Sequence, residues 1–531
     1  MKQKHQSTLF YLLTIFFLSS SLSCSKKTTT KVTVPLKPAV LTAQVNTTYT
    51  LPVLTNQSAN PYTLITIQVP QQAGIKKITR IVCSLNNEVT NDVEKIQVYQ
   101  GGPVFTEELP LMATQTAITA TIEIPVNLSL QAGTNYIWLN IRLKENPSLA
   151  SKLNLKVNQL IDELGNGITI DLNTNPTSKY QGITLRKAGE DGINTYRIPG
   201  IITTDKGTLI AVYDNRYVNS ADLPANIDVA MSRSNDGGKT WQAMKVIMDM
   251  GIPNDQNGIG DPSILFDPVT HKIWVAALWS KGNHSIAGSG PGLLPDETGQ
   301  LILVNSSDDG LTWSAPINIT TQVKNPLWKI LFQGPGNGIA MQDGTLVFPA
   351  QYWDALNMPY STFIYSKDQG LTWKRASAQG PKSNTTESQV VETTAGTLML
   401  NMRDNRGGFR SVATTNDLGD NWVIHPTSYQ ALVDPVCMGS LIKARVKVNG
   451  ALKDVLFFSN PNSNSSRSNI TIKASLDMGL TWQATNQLLI DSRSTYGYSS
   501  LTKIDDQTIG ILYEGTRDLY FLRIPVNDII K

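Results

Sequence analysis

One eight-residue pattern occurs five times in this chain, and it dictates a repeat architecture. The copies are Ser234 to Trp241 (SNDGGKTW), Ser306 to Trp313 (SSDDGLTW), Ser366 to Trp373 (SKDQGLTW), Thr415 to Trp422 (TNDLGDNW) and Ser475 to Trp482 (SLDMGLTW). Their shared form is Ser/Thr-x-Asp-x-Gly-x-Thr-Trp, with Asn421 in place of the second Thr once. Successive copies begin 49 to 72 residues apart, a repeat length that suits one four-stranded propeller blade. Each copy reads as a turn. The aspartate (Asp236, Asp308, Asp368, Asp417, Asp477) accepts backbone N–H bonds, the glycine supplies positive φ, and the tryptophan packs between strands. A strand with period-two alternation precedes the box, as with Ile227, Val229 and Met231 before the first and Ile470 and Ile472 before the fifth. A turn that satisfies its own polar groups once per blade is scaffold, so these aspartates are expected to be structural.

The boxes occupy only part of the chain. Residues 41–180 contain none, but hold short alternating runs such as Tyr62 to Val69, Ile118 to Ile124 and Asn135 to Leu143, punctuated by Asn, Gly and Pro. This predicts an N-terminal β-sandwich, an accessory or carbohydrate-binding-like domain. Asn173 to Tyr180 (NTNPTSKY) reads as its linker to the repeat region. The remaining stretch, 181–531, at about 58 residues per blade accommodates six blades. A second repeat agrees: Asp205 to Ile210, Asp343 to Val347 and Gly396 to Leu400 each read as a turn followed by a strand. The expected fold is all-β, a six-bladed β-propeller preceded by a small β-sandwich.

The first 24 residues belong to neither domain. A charged start (Lys2, Lys4, His5), the apolar run Leu9 to Leu18 and small residues leading to Cys24 are the layout of an export signal. Ser-Leu-Ser-Cys at 21–24 resembles a bacterial lipobox, which would make Cys24 the lipidated N-terminus of a membrane-anchored envelope protein, periplasmic or on the cell surface; ordinary secretion is the alternative. Residues 25–40, rich in Lys, Thr and Pro, read as a tether. Net charge is +3 with no long basic run, so nucleic acid is not an expected partner. Cys83 and Cys437 are expected as buried free thiols, and His5, His271, His284 and His425 show no metal-ligand spacing. No cofactor or metal is implied, and a monomer is the default expectation.

The residues able to do chemistry lie at strand ends, where a propeller mouth gathers function. Tyr196-Arg197-Ile198-Pro199 opens the first blade; Arg216 ends the strand carrying Asp214-Asn215-Arg216, and Asp222 follows six residues later. Downstream come Glu387-Ser388-Gln389, Asn401-Met402-Arg403, Arg467 ahead of the fifth box, and Gly497-Tyr498-Ser499-Ser500-Leu501. This ensemble over residues 186–525 resembles a bacterial exo-sialidase (neuraminidase) of glycoside hydrolase family thirty-three. The resemblance implies that Arg197, Arg403 and Arg467 hold a substrate carboxylate. It places Arg216 near the sugar's 4-hydroxyl and makes Asp222 the acid/base, Glu387 the general base and Tyr498 the nucleophile. Asp261, in Gly260-Asp261-Pro262-Ser263, resembles a further acidic residue lining the sugar. Tyr496 competes with Tyr498 by proximity but lacks the following Ser-x-Leu. Trp279 and the segment Gln333-Gly334-Pro335-Gly336 are further candidates for the wall, or else blade packing.

The chemistry is coherent. A sialic acid bears its carboxylate on the anomeric carbon, and guanidinium forks match carboxylate oxygens. An anionic nucleophile would be repelled by that substrate, whereas a tyrosine activated by a glutamate would not. The implied activity is retaining hydrolysis of terminal sialic acids from glycoproteins, glycolipids or oligosaccharides, through a tyrosyl intermediate. A non-catalytic sialic-acid-binding propeller, a trans-sialidase and an intramolecular trans-sialidase are alternatives on the same scaffold. Tyr62, Tyr99 and Trp138 are candidate sugar platforms on the sandwich, or strand-core aromatics of a spacer domain.

Overall fold

The computed structural model describes residues 41–46, 51–71, 76–149, 151–171 and 178–531. The export signal, Cys24, the tether and most of the 173–180 linker lie outside the described residues.

Residues 42–171 form a nine-stranded sheet with one parallel pair, Thr42–Asn46 beside Gly167–Asp171. Strand Thr121–Leu130 shows why it folds over: Ile122 and Ile124 are buried while Thr121 and Glu123 are exposed, so one face is apolar and needs cover. The two halves of the sheet cover each other. Ile65, Ile67, Ile96 and Ile141 from one half share a core with Ile78, Ile81, Ile124 and Leu160 from the other. Tyr62 and Trp138 are 2% and 1% exposed. The Tyr62 hydroxyl donates to the Leu153 carbonyl and the Trp138 indole to that of Gly102. Both are core aromatics, not the sugar platforms that exposed rings would offer. Cys83 and Cys437 are buried free thiols.

The repeat region forms six four-stranded blades. Blade 1 spans Thr195–Thr203 to Lys245–Met248, blade 2 Ile259–Asp267 to Ile317–Asn318, blade 3 Ile330–Gln333 to Lys374–Arg375, blade 4 Thr385–Thr394 to Val423–Ile424, and blade 5 Ser440–Val448 to Gln487–Asp491. Blade 6 joins both ends of the region. Ser499–Asp505, Thr508–Glu514 and Leu519–Pro525 supply three strands, and Gln181–Arg186 supplies the fourth. Every box links the third strand of its blade to the fourth. Blade 6 has no such turn because its fourth strand comes from elsewhere in the chain, so five boxes make six blades.

The boxes are built alike. In the second, the Ser306 hydroxyl donates to Asp308 at 2.8 Å and accepts the Gly310 N–H at 2.9 Å, while Asp308 accepts the Thr312 N–H at 2.8 Å. Where Asn421 replaces Thr, its amide supplies the missing donor to Asp417 at 2.8 Å. The box glycine has a second duty besides φ. Gly370, at φ +88°, lies against blade 2, where a Cβ would come within 2.3 Å of the Trp274 ring. The box tryptophans seal the same seam, with Trp373 against Trp274 and Trp422 against Phe363 of the preceding blades.

The sandwich is bonded into the ring. Val53–Leu54 pairs in parallel with Gln181–Arg186 as a fifth strand of blade 6. Gln181 donates to Asp92 at 3.0 Å, the Tyr180 hydroxyl to Asp528 at 2.7 Å, and Lys152 pairs with Asp528 at 2.9 Å.

Candidate active site

The innermost strands of blades 1, 2 and 4 each carry an extra residue near the end where they begin. Between Arg197 and Gly200, Gly260 and Ser263, and Thr385 and Ser388, three steps on the inner strand match two on the next. These are β-bulges, which re-aim side chains. They occur at Arg197, Asp261 and Glu387. Two are extreme: Ile198 and Asp261 have φ of +58° and +59°, outside the ordinary range for a residue with a Cβ. Each precedes a proline, Pro199 and Pro262, which has no N–H for the interrupted ladder to leave unpaired.

The bulges open onto a cavity of about 330 Å³ at the centre of one face. Leu223, Leu278, Ile286, Phe332 and Trp353, all from blades 1 to 3, form its apolar wall. Facing them are Arg197 from blade 1, Glu387 and Arg403 from blade 4, Arg467 from blade 5 and Tyr498 from blade 6. Residues as far apart in sequence as Arg197 and Tyr498 therefore meet. Arg403 Nη1 donates to Glu387 Oε2 at 2.6 Å and to the Tyr498 hydroxyl at 3.1 Å, and that hydroxyl donates to Glu387 Oε1 in a very short bond. The guanidinium carbons of Arg197 and Arg467 lie 5.3 and 5.6 Å from the Tyr498 ring centre. Burial, reinforced by the Glu387 carboxylate, raises the Tyr498 phenol well above its ordinary range. The phenol is therefore neutral at rest and has a carboxylate in contact to take its proton.

Carboxylates cluster on the blade 1–2 side. Asp222 stands exposed at the rim, with Arg216 Nη1 at 2.6 Å and Arg197 Nη1 at 3.4 Å. Desolvation by the neighbouring protein opposes its ionisation, but the guanidiniums of Arg216 and Arg197 prevail and hold its carboxyl below the usual range. Asp261 is the reverse case. Burial first, then the nearby Asp214 and Asp222, pushes its carboxyl well up, against the pull of Arg216. Burial likewise lifts Asp214 to about 6 against the pull of Arg216.

Arg216, expected near the sugar's 4-hydroxyl, is not among the residues that line the cavity. It is 1% exposed, and its guanidinium is engaged by Asp214 at 2.9 Å, Asp222 and the Ser220 carbonyl. Trp279 packs with the core between blades 1 and 2, and Gln333 donates to the Asp261 carbonyl at 2.5 Å. Sequence reasoning missed Glu514. This fully buried carboxylate accepts Arg197 Nε at 3.1 Å and the backbone N–H groups of Ile198 and Tyr498 at 3.0 Å each. It fastens an arginine of the cavity to the backbone of the phenol. Its surroundings, Tyr513-Glu514-Gly515, carry no motif that marks it. Among the described residues no group of three or more His, Cys, Asp or Glu side chains is arranged to hold a metal ion.

Both domains match known protein families. Residues 207–512 match the BNR repeat-like domain, and residues 106–163 the N-terminal domain of BNR-repeat neuraminidase. A sialidase of Bacteroides fragilis is 47% identical over 407 residues, covering 75% of this chain and 74% of its own. One from Micromonospora viridifaciens is 34% identical over 63% of this chain and 52% of its own. The solved structure of the Hadza microbial sialidase Hz136 superposes with a TM-score of 0.84 at 38% identity, covering 92% of this chain and all of that one.

Proposed function

The chain belongs to the BNR-repeat sialidases and is a glycoside hydrolase, an exo-α-sialidase; from that premise we propose that it works with retention, through a covalent intermediate on Tyr498. The observation that carries this reading is the contact of the Tyr498 hydroxyl with both Glu387 and Arg403 beneath Arg197 and Arg467. Sialidases with a tyrosine nucleophile are a recognised exception to the two-carboxylate scheme.

Arg197, Arg403 and Arg467 receive the substrate carboxylate and fix the ring over the phenol. Glu387 takes the phenol proton as the oxygen attacks the anomeric carbon, and the aglycone oxygen leaves with a proton from Asp222. Asp222 then deprotonates a water that attacks the same carbon, and the tyrosine oxygen departs and regains its proton from Glu387. In the free protein Asp222 is ionised because Arg197 and Arg216 face it. A substrate carboxylate that occupies Arg197 weakens that hold and lets Asp222 take up the proton it must give. Arg216 acts through Asp222 as a positioning residue. The substrates are sialylated glycoproteins, glycolipids or oligosaccharides. The enzyme acts as an exported monomer, held at the bacterial envelope through a lipid on Cys24.

The test is turnover of a fluorogenic sialoside by the wild type, Tyr498→Phe and Asp222→Ala. Tyr498→Phe is expected to lose nearly all activity. Asp222→Ala is expected to lose far more on natural glycosides than on substrates whose leaving groups need no proton. Full activity in Tyr498→Phe removes the phenol from the mechanism.

A further inference from the structure

Tyr496 stands two residues before the phenol, outside the cavity, and the steps above give it no task. Its surroundings do. Its ring centre lies 4.6 Å from the guanidinium carbon of Arg197, well inside cation–π range. Its backbone carbonyl accepts Arg467 Nη1 at 3.0 Å, while the Val436 carbonyl accepts Arg467 Nη2 at 3.0 Å. Its own N–H donates to the Gly515 carbonyl at 3.2 Å, beside Glu514. Gly497 closes the arrangement at φ +93°, where a Cβ would come within about 3 Å of Cys437, Pro461 and Arg467, so the chain at 496 has little freedom to shift.

We infer that Tyr496 is a positioning residue for the carboxylate grip, its ring capping Arg197 and its carbonyl steering Arg467, so that one residue outside the cavity sets two of the three arginines. This rests on the proposed roles of those arginines. The ring leaves the charge of Arg197 intact while screening one face from water, and a less hydrated guanidinium binds a carboxylate more strongly. Glu514 occupies Nε of Arg197 and Asp222 its Nη1, so when a substrate carboxylate replaces Asp222 the ring and Glu514 remain to hold the guanidinium, the ring against its face and Glu514 at its edge. The backbone half of the role persists in any substitution; the ring half is testable.

The experiment uses the full chain and compares Tyr496→Leu, which keeps apolar bulk without a π face, with Tyr496→Phe and Tyr496→Trp, which keep the face. Hydrolysis of a fluorogenic sialoside gives kcat and KM, free sialic acid serves as competitive inhibitor, and melting midpoints check folding. Tyr496→Leu should raise KM and the inhibition constant together by about 3- to 30-fold, the range of a cation–π contact. Its kcat should stay within about threefold by the same reasoning, since the reacting atoms are untouched. Phe and Trp should keep KM near wild type. A Leu variant equal to wild type overturns the inference, as does a Phe variant as impaired as Leu, or a fall in kcat at unchanged KM. If Leu fails to fold, Tyr496→Met stands in for it under the same criteria. A wild type without turnover defeats the sialidase mechanism itself, which is a separate outcome from an active wild type beside an unaffected Leu variant.

Discussion

Replacing Glu514 with glutamine separates two effects of opposite sign. Glu514 is a negative charge behind the arginine cluster, and counting charges alone predicts that removing it strengthens the grip on an anionic sugar and lowers KM. Geometry predicts the reverse. One oxygen accepts Arg197 Nε and the Ile198 N–H, and the other accepts the Tyr498 N–H. A glutamine must present its NH₂ to one of those sides, so at least one buried donor faces another donor. An unsatisfied buried N–H costs about 1–3 kcal/mol. Breaking a buried ion pair costs about 3–5 kcal/mol, and the Asp222 contact with Arg197 offsets part of that. A net loss of about 3 kcal/mol in holding Arg197 and Tyr498 in place corresponds to a fall of about 150-fold in kcat/KM. The long-range gain from one less charge beside an open, hydrated cavity is about 1 kcal/mol or below, so geometry wins. The assay is steady-state hydrolysis of a fluorogenic sialoside, with the melting midpoint measured beside it. A lower KM in Glu514→Gln, or kcat/KM within threefold of wild type, refutes the argument that this carboxylate acts by placement.

Two further outcomes follow from the scaffold. Asp308 is held down to about 2: desolvation opposes its ionisation, but the bonds it accepts from Thr312 and Ser306 together outweigh it. A depressed carboxylate stabilises the fold fully above its unfolded value near 3.8, and that contribution drains away as pH falls toward 2. The melting midpoint should therefore fall with acidification over this window, and less steeply in Asp308→Asn; equal slopes would show that the box carboxylate does not titrate with folding. Deleting residues 41–180 removes Val53–Leu54 from blade 6 and the partners of Gln181 and Asp528, exposing the strand that closes the ring. That variant should melt lower and lose turnover even on a small soluble sialoside, whereas full activity at an unchanged midpoint would reduce the sandwich to an accessory.

What the sequence made legible follows from whether an interaction is local. A box is closed by Ser306, Asp308, Gly310 and Thr312 acting within seven residues, so composition and spacing reveal it, and the spacing reveals the blade. The cavity's arginines and phenol were reachable because a familiar ensemble places them at strand ends. Glu514 was not, since its partners lie 317 and 16 residues away and nothing beside it signals a burial that only ring closure creates. Arg216 shows the same limit from the other side. Its neighbourhood reads as an exposed strand end, yet the packing of blade 1 against blade 2 brings the backbone of Asp261 onto Asp214 and closes over the guanidinium.

A proline inside a strand pattern is a local sign that the ladder is broken there, and both Arg197-Ile198-Pro199 and Asp261-Pro262 carry it. The sign matters because an inner strand of regular register alternates its side chains strictly, and one extra residue reverses which of them face the channel. At Arg197, Asp261 and Glu387 that reversal turns charged side chains toward the cavity while the apolar residues after them, Ile201, Ile264 and Val390, stay buried in the blade cores. The propeller thus keeps its packing and gains a polar site from the same strands. The same inner strand carries the unfavourable φ at Ile198, and the Glu514 carboxylate that bonds its N–H holds the bulge in place.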